Sequence, residues 1–116
     1  MARSVITPVT LSDFNSEGTI TKDAFDATND HSLDVSGIKY NNLVIFIETT
    51  NTVAVTIDIK AGDFSSSTLG DVQIVSGAIA LQAISIETAR FKDNDGLILI
   101  DVTGAGTGNL YAAVLP

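Results

Sequence analysis

Chemistry needs side chains that titrate, ligate a metal or attack, and this chain of 116 residues has few arranged to do so. His31 is its one histidine, set in the run Thr28-Asn29-Asp30-His31-Ser32. Serine, histidine and aspartate form a nucleophilic relay only when they converge in space with the imidazole between the other two. As sequence neighbours in a polar run they have the composition of a turn, so we read His31 as an exposed loop residue. Asp93-Asn94-Asp95-Gly96 opens like an acidic calcium loop. That loop also needs a glutamate about six residues past its glycine, between two helices. Val102 holds that position and the flanks read as strands, so the segment is a turn. Asp63 and Asp71 bracket a serine-rich loop with no further ligand pattern. Gly104-Ala105-Gly106-Thr107-Gly108 has the glycines of a phosphate loop but neither its lysine nor a following helix.

Other reactions leave no mark. Glycoside hydrolysis needs two carboxylates across a cleft, and nothing singles out a pair among the 14 acidic residues. Cysteine is absent, which excludes disulfides, thiolate metal sites and a thiol nucleophile. Tryptophan is absent and the tyrosines are only Tyr40 and Tyr111, which argues against a module that stacks sugars on exposed rings. We therefore expect no catalytic residue, no cofactor and no metal, and a protein that binds or assembles.

The elements that would position any site are strands. Val53, Val55, Ile57 and Ile59 alternate with Ala54, Thr56, Asp58 and Lys60, the period of a half-buried strand. Leu43-Val44-Ile45-Phe46-Ile47 and residues 97–102 are apolar on both faces, as central strands covered on both sides would be. Residues 110–115 read as a closing strand. Weaker strand patterns run over 5–11, 72–75 and 78–86, with short edge strands at 19–27 and 32–35. Thr50-Asn51-Thr52 and the glycine-rich residues 103–109 read as hairpin loops, and Ser76-Gly77 as a tight turn. Arg90-Phe91-Lys92 reads as a strand end with Phe91 turned inward. No 3.6-residue period is sustained anywhere, although one helical turn fits near residues 23–26. The expected fold is a single all-β domain, a β-sandwich or jelly roll of about seven to nine short antiparallel strands. Residues 16–116 would form the sandwich and residues 1–15 an N-terminal arm that orders on binding.

Charge narrows the partners. The net charge is −8, and the six basic residues (Arg3, Lys22, Lys39, Lys60, Arg90 and Lys92) form no stripe. Nucleic acid needs such a stripe, and an anionic membrane would repel this surface. No run is long and apolar enough to span a membrane. Residues 1–11 hold one basic residue and no apolar core, unlike a signal peptide.

One resemblance goes beyond fold class. Residues 56–63 read T-x-x-I-K-A-G-D and residues 70–77 read G-D-x-x-x-x-x-G. Residues 87–96 read E-x-A-R-F-K-x-x-D-G, and the chain closes on V-T-G followed by L-x-A-x-x-L-P. In this order the segments resemble small phage and prophage head proteins of the capsid decoration, or head-stabilisation, type. The resemblance covers roughly residues 42–116. It implies a non-enzymatic virion protein, made in the host cytoplasm, that sits on the outer surface of an icosahedral shell. Its partners would be the major capsid protein and copies of itself, often as trimers. The residues we expect at capsid or subunit contacts are Arg3, Val5, Pro8, Phe14 and Arg90. Two other readings are another phage head or tail structural protein and a carbohydrate- or surface-binding sandwich module.

Overall fold

A computed structural model describes residues 2–11, 15, 17–36, 43–63 and 68–116. Among these residues, ten strands and one helical turn follow in order. They are β1 (Ser4–Ile6), β2 (Val9–Thr10), β3 (Asp23–Ala24), β4 (His31–Asp34), β5 (Leu43–Thr49) and β6 (Val55–Ile59). Then come β7 (Val72–Ser76), β8 (Ala80–Ile86), α1 (Thr88–Phe91), β9 (Leu97–Gly104) and β10 (Gly108–Val114). Two sheets of five face each other. One runs β1-β4-β9-β6-β7; the other runs β2-β10-β5-β8, with β3 also on β10.

The all-β sandwich is the fold expected from period-2 patterning, and its pairing gives it a specific topology. β6 pairs with β7, β5 with β8, β4 with β9 and β3 with β10, all antiparallel. These pairs are nested, as in one long hairpin wound on itself. The additional antiparallel pairs β9·β6 and β10·β5 close the two sheets. The result is the double Greek key of a jelly roll. β1 and β2 lie outside this scheme and pair in parallel, β1 with β4 and β2 with β10.

The core lies between the sheets. Along β5 every second residue is buried (Leu43, Ile45, Ile47, Thr49), and along β6 likewise Val55, Ile57 and Ile59. Ile98, Ile100 and Val102 come from β9, Leu110 and Ala112 from β10, and Ile6 and Leu33 from β1 and β4. Each fully buried aliphatic side chain of this kind is worth roughly 1.5–3 kcal/mol of transfer free energy. The two doubly apolar runs are central strands, β5 between β10 and β8 and β9 between β4 and β6. Their outward residues Val44, Phe46, Leu97 and Leu99 are half-buried.

Four local expectations need correcting. The loops at 50–54 and 105–107 are not hairpins, because β5 and β6 lie in opposite sheets, as do β9 and β10. They are arches across the sandwich, and a short polar loop between two strand patterns has the same composition in either case. The segment at Arg90 is not a strand end. Residues 88–91 make a single helical turn, with Phe91 buried and the Lys92 N–H bonded to the Thr88 carbonyl. The helical turn placed near residues 23–26 is absent there; residues 23–24 are strand and 27–29 a turn. The strand pattern at 5–11 is split at Pro8, which has no N–H for a ladder. β1 lies in one sheet and β2 in the other, so the segment set apart as an arm crosses one side of the sandwich. Its Ile6 is a core residue, 1 % exposed.

Candidate functional site

His31 is not an exposed loop residue. It opens β4 and is 0 % exposed. Its Nδ1 lies 2.7 Å from Asp23 Oδ2, and its Nε2 accepts the Asp26 backbone N–H at 3.0 Å. An accepting Nε2 places the ring proton on Nδ1, from which it is donated to Asp23. The Ser4 hydroxyl also donates to Asp23, at 2.9 and 3.0 Å. A serine, an aspartate and a histidine therefore do converge, but with the carboxylate in the middle. In a nucleophilic relay the imidazole faces the hydroxyl and takes its proton. Here the hydroxyl faces the carboxylate, the ring is sealed from solvent and both ring nitrogens are engaged. What this arrangement does is tie β1, β3 and β4 together. Polar neighbours hid the burial of His31 from a composition reading.

The turn beside it is built the same way. The Asp26 carboxylate accepts the N–H groups of Thr28 and Asn29 and the Asn29 side-chain amide. The Asn29 backbone bond, foremost, holds the Asp26 carboxyl below its ordinary range. Asp30 has a φ of 61°, a conformation asparagine and aspartate tolerate best among non-glycine residues. Its carboxylate accepts the Val102 N–H at 2.9 Å.

The acidic and glycine-rich segments have structural occupations. Asp93 Oδ1 accepts the N–H groups of Asp95 and Leu97, and Asp63 Oδ2 accepts that of Asn94. Among the described residues no three histidine, aspartate or glutamate side chains gather as a metal site. In the glycine-rich segment, a Cβ on Gly108 would lie 1.9 Å from the Glu48 carbonyl oxygen and 2.8 Å from the Phe25 ring. That glycine is required for β10 to approach β5, which accounts for it without any phosphate.

The residues expected at contacts fall in different places. The Arg3 guanidinium pairs with Asp101 at 2.6 Å and donates to the His31 and Ile100 carbonyls. Val5 is 60 % exposed on β1. Pro8 is half-buried between β1 and β2. Phe14 lies outside the described residues. Arg90 donates to the carbonyls of Leu69 and Gly70 and lies over the Phe91 ring, 4.9 Å from its centroid. Tyr111 is buried, stacked on Phe46 at 5.2 Å with the Lys22 ammonium 5.5 Å from its centroid, so it offers no free face to a sugar. Tyr40 lies outside the described residues.

Three of the four segments that carry the sequence resemblance meet in one place. The Gly62 N–H bonds the Arg90 carbonyl and the Asp63 N–H that of Lys92. Lys60 pairs with Asp71 at 2.8 Å, and Asp71 also accepts the Ala61 N–H. That N–H, with Lys60 second, holds the Asp71 carboxyl low, and Asp71 in turn raises Lys60. With Arg90 on Gly70 and Asn94 on Asp63, residues 60–63, 69–71 and 90–94 form one interlocked knot. Away from the knot, Ile79 and Leu81, at the start of β8, expose most of their surface. A hollow of about 520 Å³ there is lined by Glu48, Thr49, Thr50, Ile79, Ala80 and Leu81.

Fold and surface together define an all-β sandwich with jelly-roll pairing whose recognisable segments are joints of the scaffold. The chain matches no protein-family model, no curated protein and no solved structure.

Proposed function

We propose that this protein is a non-enzymatic structural component of a phage-type virion, a decoration protein that binds the outer surface of an icosahedral capsid and stabilises it. The observation that carries the reading is the knot. Three of the four segments resembling phage head proteins, far apart in sequence, hold one another through Gly62–Arg90, Asp63–Lys92, Asp63–Asn94 and Arg90–Gly70 contacts. A likeness made of mutually dependent joints points to a shared scaffold more strongly than the same letters scattered in independent turns. Jelly rolls are frequent in capsid proteins, although fold alone assigns no function. An acidic surface without a basic stripe suits a protein partner on the outside of a shell better than packaged nucleic acid.

Such a protein works by number. Each copy needs modest affinity, because binding to the closed shell stabilises it by mass action at many sites. The partners are the major capsid protein and further copies of the chain. The test is to mix purified protein with expanded, undecorated heads of the phage that encodes it, sediment the heads and count bound copies. We expect saturation at a number set by the lattice and heads that resist heating longer. Folded protein that stays in the supernatant at every concentration would refute the proposal.

A further inference from the structure

The two sides of the sandwich are finished differently. On one side the chain crosses from β1 to β2, and residues 22–30 lie against it. Their ties there include the Ser4 N–H to the Asp30 carbonyl and Ser4 to Asp23. That side carries Arg3, Lys22, Asp23, Asp26 and Asp30. On the other side β7 ends one sheet and β8 ends the other. Among the described residues, no strand pairs with the outer edge of either. Residues 72–86 contain no charged residue and no proline, in a chain of net charge −8.

Exposed sheet edges are normally guarded by charges, prolines or bulges, since an open ladder accepts any strand that fits it. β8 has none of these guards over seven residues. Leu81 is 62 % exposed, and Ile79 just ahead of the strand 68 %. The arch between β7 and β8 is also held in place. Thr49, 3 % exposed, bonds the Ala78 carbonyl through its hydroxyl and accepts the Ala80 N–H at 2.8 Å.

We propose that the outer edge of β8 pairs antiparallel with β8 of a second copy of this chain, about a two-fold axis beside Ala83. Charge selects the occupant. Two copies of a molecule this acidic repel each other wherever carboxylates face carboxylates, and the uncharged edge avoids that repulsion. On the strands next to β8 and β7, Glu48 is engaged by Lys22 and Asn109, and Asp58 by Gln73. A basic partner would find nothing on this edge to pair with.

The register is equally specific. An axis at Ala83 keeps all seven residues of β8 paired. It sets Ala83 against Ala83 and Leu81 against Ser85 on the outer face, and Ile84 against Gln82 on the inner face. Small residues then lie at the axis and no like charges meet. The contact joins two chains, where the resemblance to decoration proteins implies trimers. It stands independently of shell binding.

The experiment uses the free protein without shells. Light scattering after size exclusion should give twice the 12.1 kDa chain mass. Leu81→Glu and Ala83→Glu each place a carboxylate at the joint and should weaken dimerisation at least tenfold while leaving the thermal melt of the fold unchanged. Val53→Glu, at an exposed position outside the edge, should leave the dimer intact. The chain has no cysteine, so Ala83→Cys introduces one unambiguous thiol. Paired Cα atoms across an antiparallel ladder lie about 4.5–5.5 Å apart, within disulfide reach, so mild oxidation should link two copies. A wild-type monomer at high concentration, a trimer, a dimer indifferent to Leu81→Glu, or failure of Ala83→Cys to cross-link would each overturn the proposal. A dimer that ignores shells refutes the decoration reading alone, and a monomer that binds shells refutes this one alone.

Discussion

Replacing His31 by alanine separates a scaffold role from a catalytic one. The ring is fully buried, so alanine leaves a void where the imidazole packed. The Asp26 N–H loses its acceptor in a partly buried setting, and Asp23 loses one of its two side-chain donors. Asp23 is 24 % exposed and rehydrates in part, so its share is small. An orphaned donor and a ring-sized void together should cost about 3–5 kcal/mol. Small domains have only about 5–15 kcal/mol in total. In a domain of this size that corresponds to a fall in Tm of roughly 12–20 °C. Urea unfolding followed by circular dichroism gives the loss, with an unchanged m-value showing that the unfolded state is not the cause. Ser4→Ala should cost about 1 kcal/mol by the same assay. The double variant should lose less than the two singles combined, because both residues act through Asp23. A His31→Ala loss under about 1 kcal/mol would refute the clasp and leave the histidine free for another task.

Other outcomes follow from the same geometry. Gly108→Ala should fail to fold or lose at least ~2 kcal/mol, since its Cβ collides with Glu48 and Phe25. Gly77→Ala, whose Cβ meets nothing within 4 Å, should be neutral or slightly stabilising; thermal melts compare the two. Asp26, Asp34, Glu48 and Asp71 all titrate below their ordinary values of 3.8 to 4.5. The unfolded chain therefore takes up protons first, so their stabilisation is complete above that range and declines as pH falls through it. Asp71→Asn should flatten that decline in a pH series of unfolding curves. Deleting residues 2–10 removes Ile6, β1 and β2 and should abolish the cooperative transition, which a melt reads directly.

The sequence made some levels of this structure legible and hid others. β5, β6, β9 and β10 announce themselves because alternation, or an apolar run, is a local property of five to eight residues. Which sheet a strand joins is not local. The loop at residues 50–54 has the composition of a hairpin, yet it sends β6 across to pair with β7 and β9. The helical turn at Thr88–Phe91 is too short for a 3.6-residue period to register, and only its buried Phe91 could be read. Among the residues expected at contacts, Arg3 and Arg90 have bonding partners that only the folded chain brings to them. Both are bonded within their own chain, Arg3 to the Asp101 carboxylate and the His31 and Ile100 carbonyls and Arg90 to the Leu69 and Gly70 carbonyls. The buried state of His31 was out of reach, since its partners Asp23 and Ser4 come from other strands.

The nested pairing also governs how a copy is made. β10 lies between β5 on one flank and β2 with β3 on the other, so the sheet it completes has a gap in its middle until residues 108–114 arrive. β2 meets this strand after roughly a hundred residues of intervening chain and β3 after roughly 85. Contacts so distant in sequence place folding in the slow, millisecond-to-second regime typical of all-β domains. A nascent chain held on the ribosome can form the inner hairpin of β6 and β7 early but cannot close the sandwich until β10 has emerged. Translation products that stop short of β10 should therefore remain open and be degraded, so that only chains translated through β10 reach the folded pool.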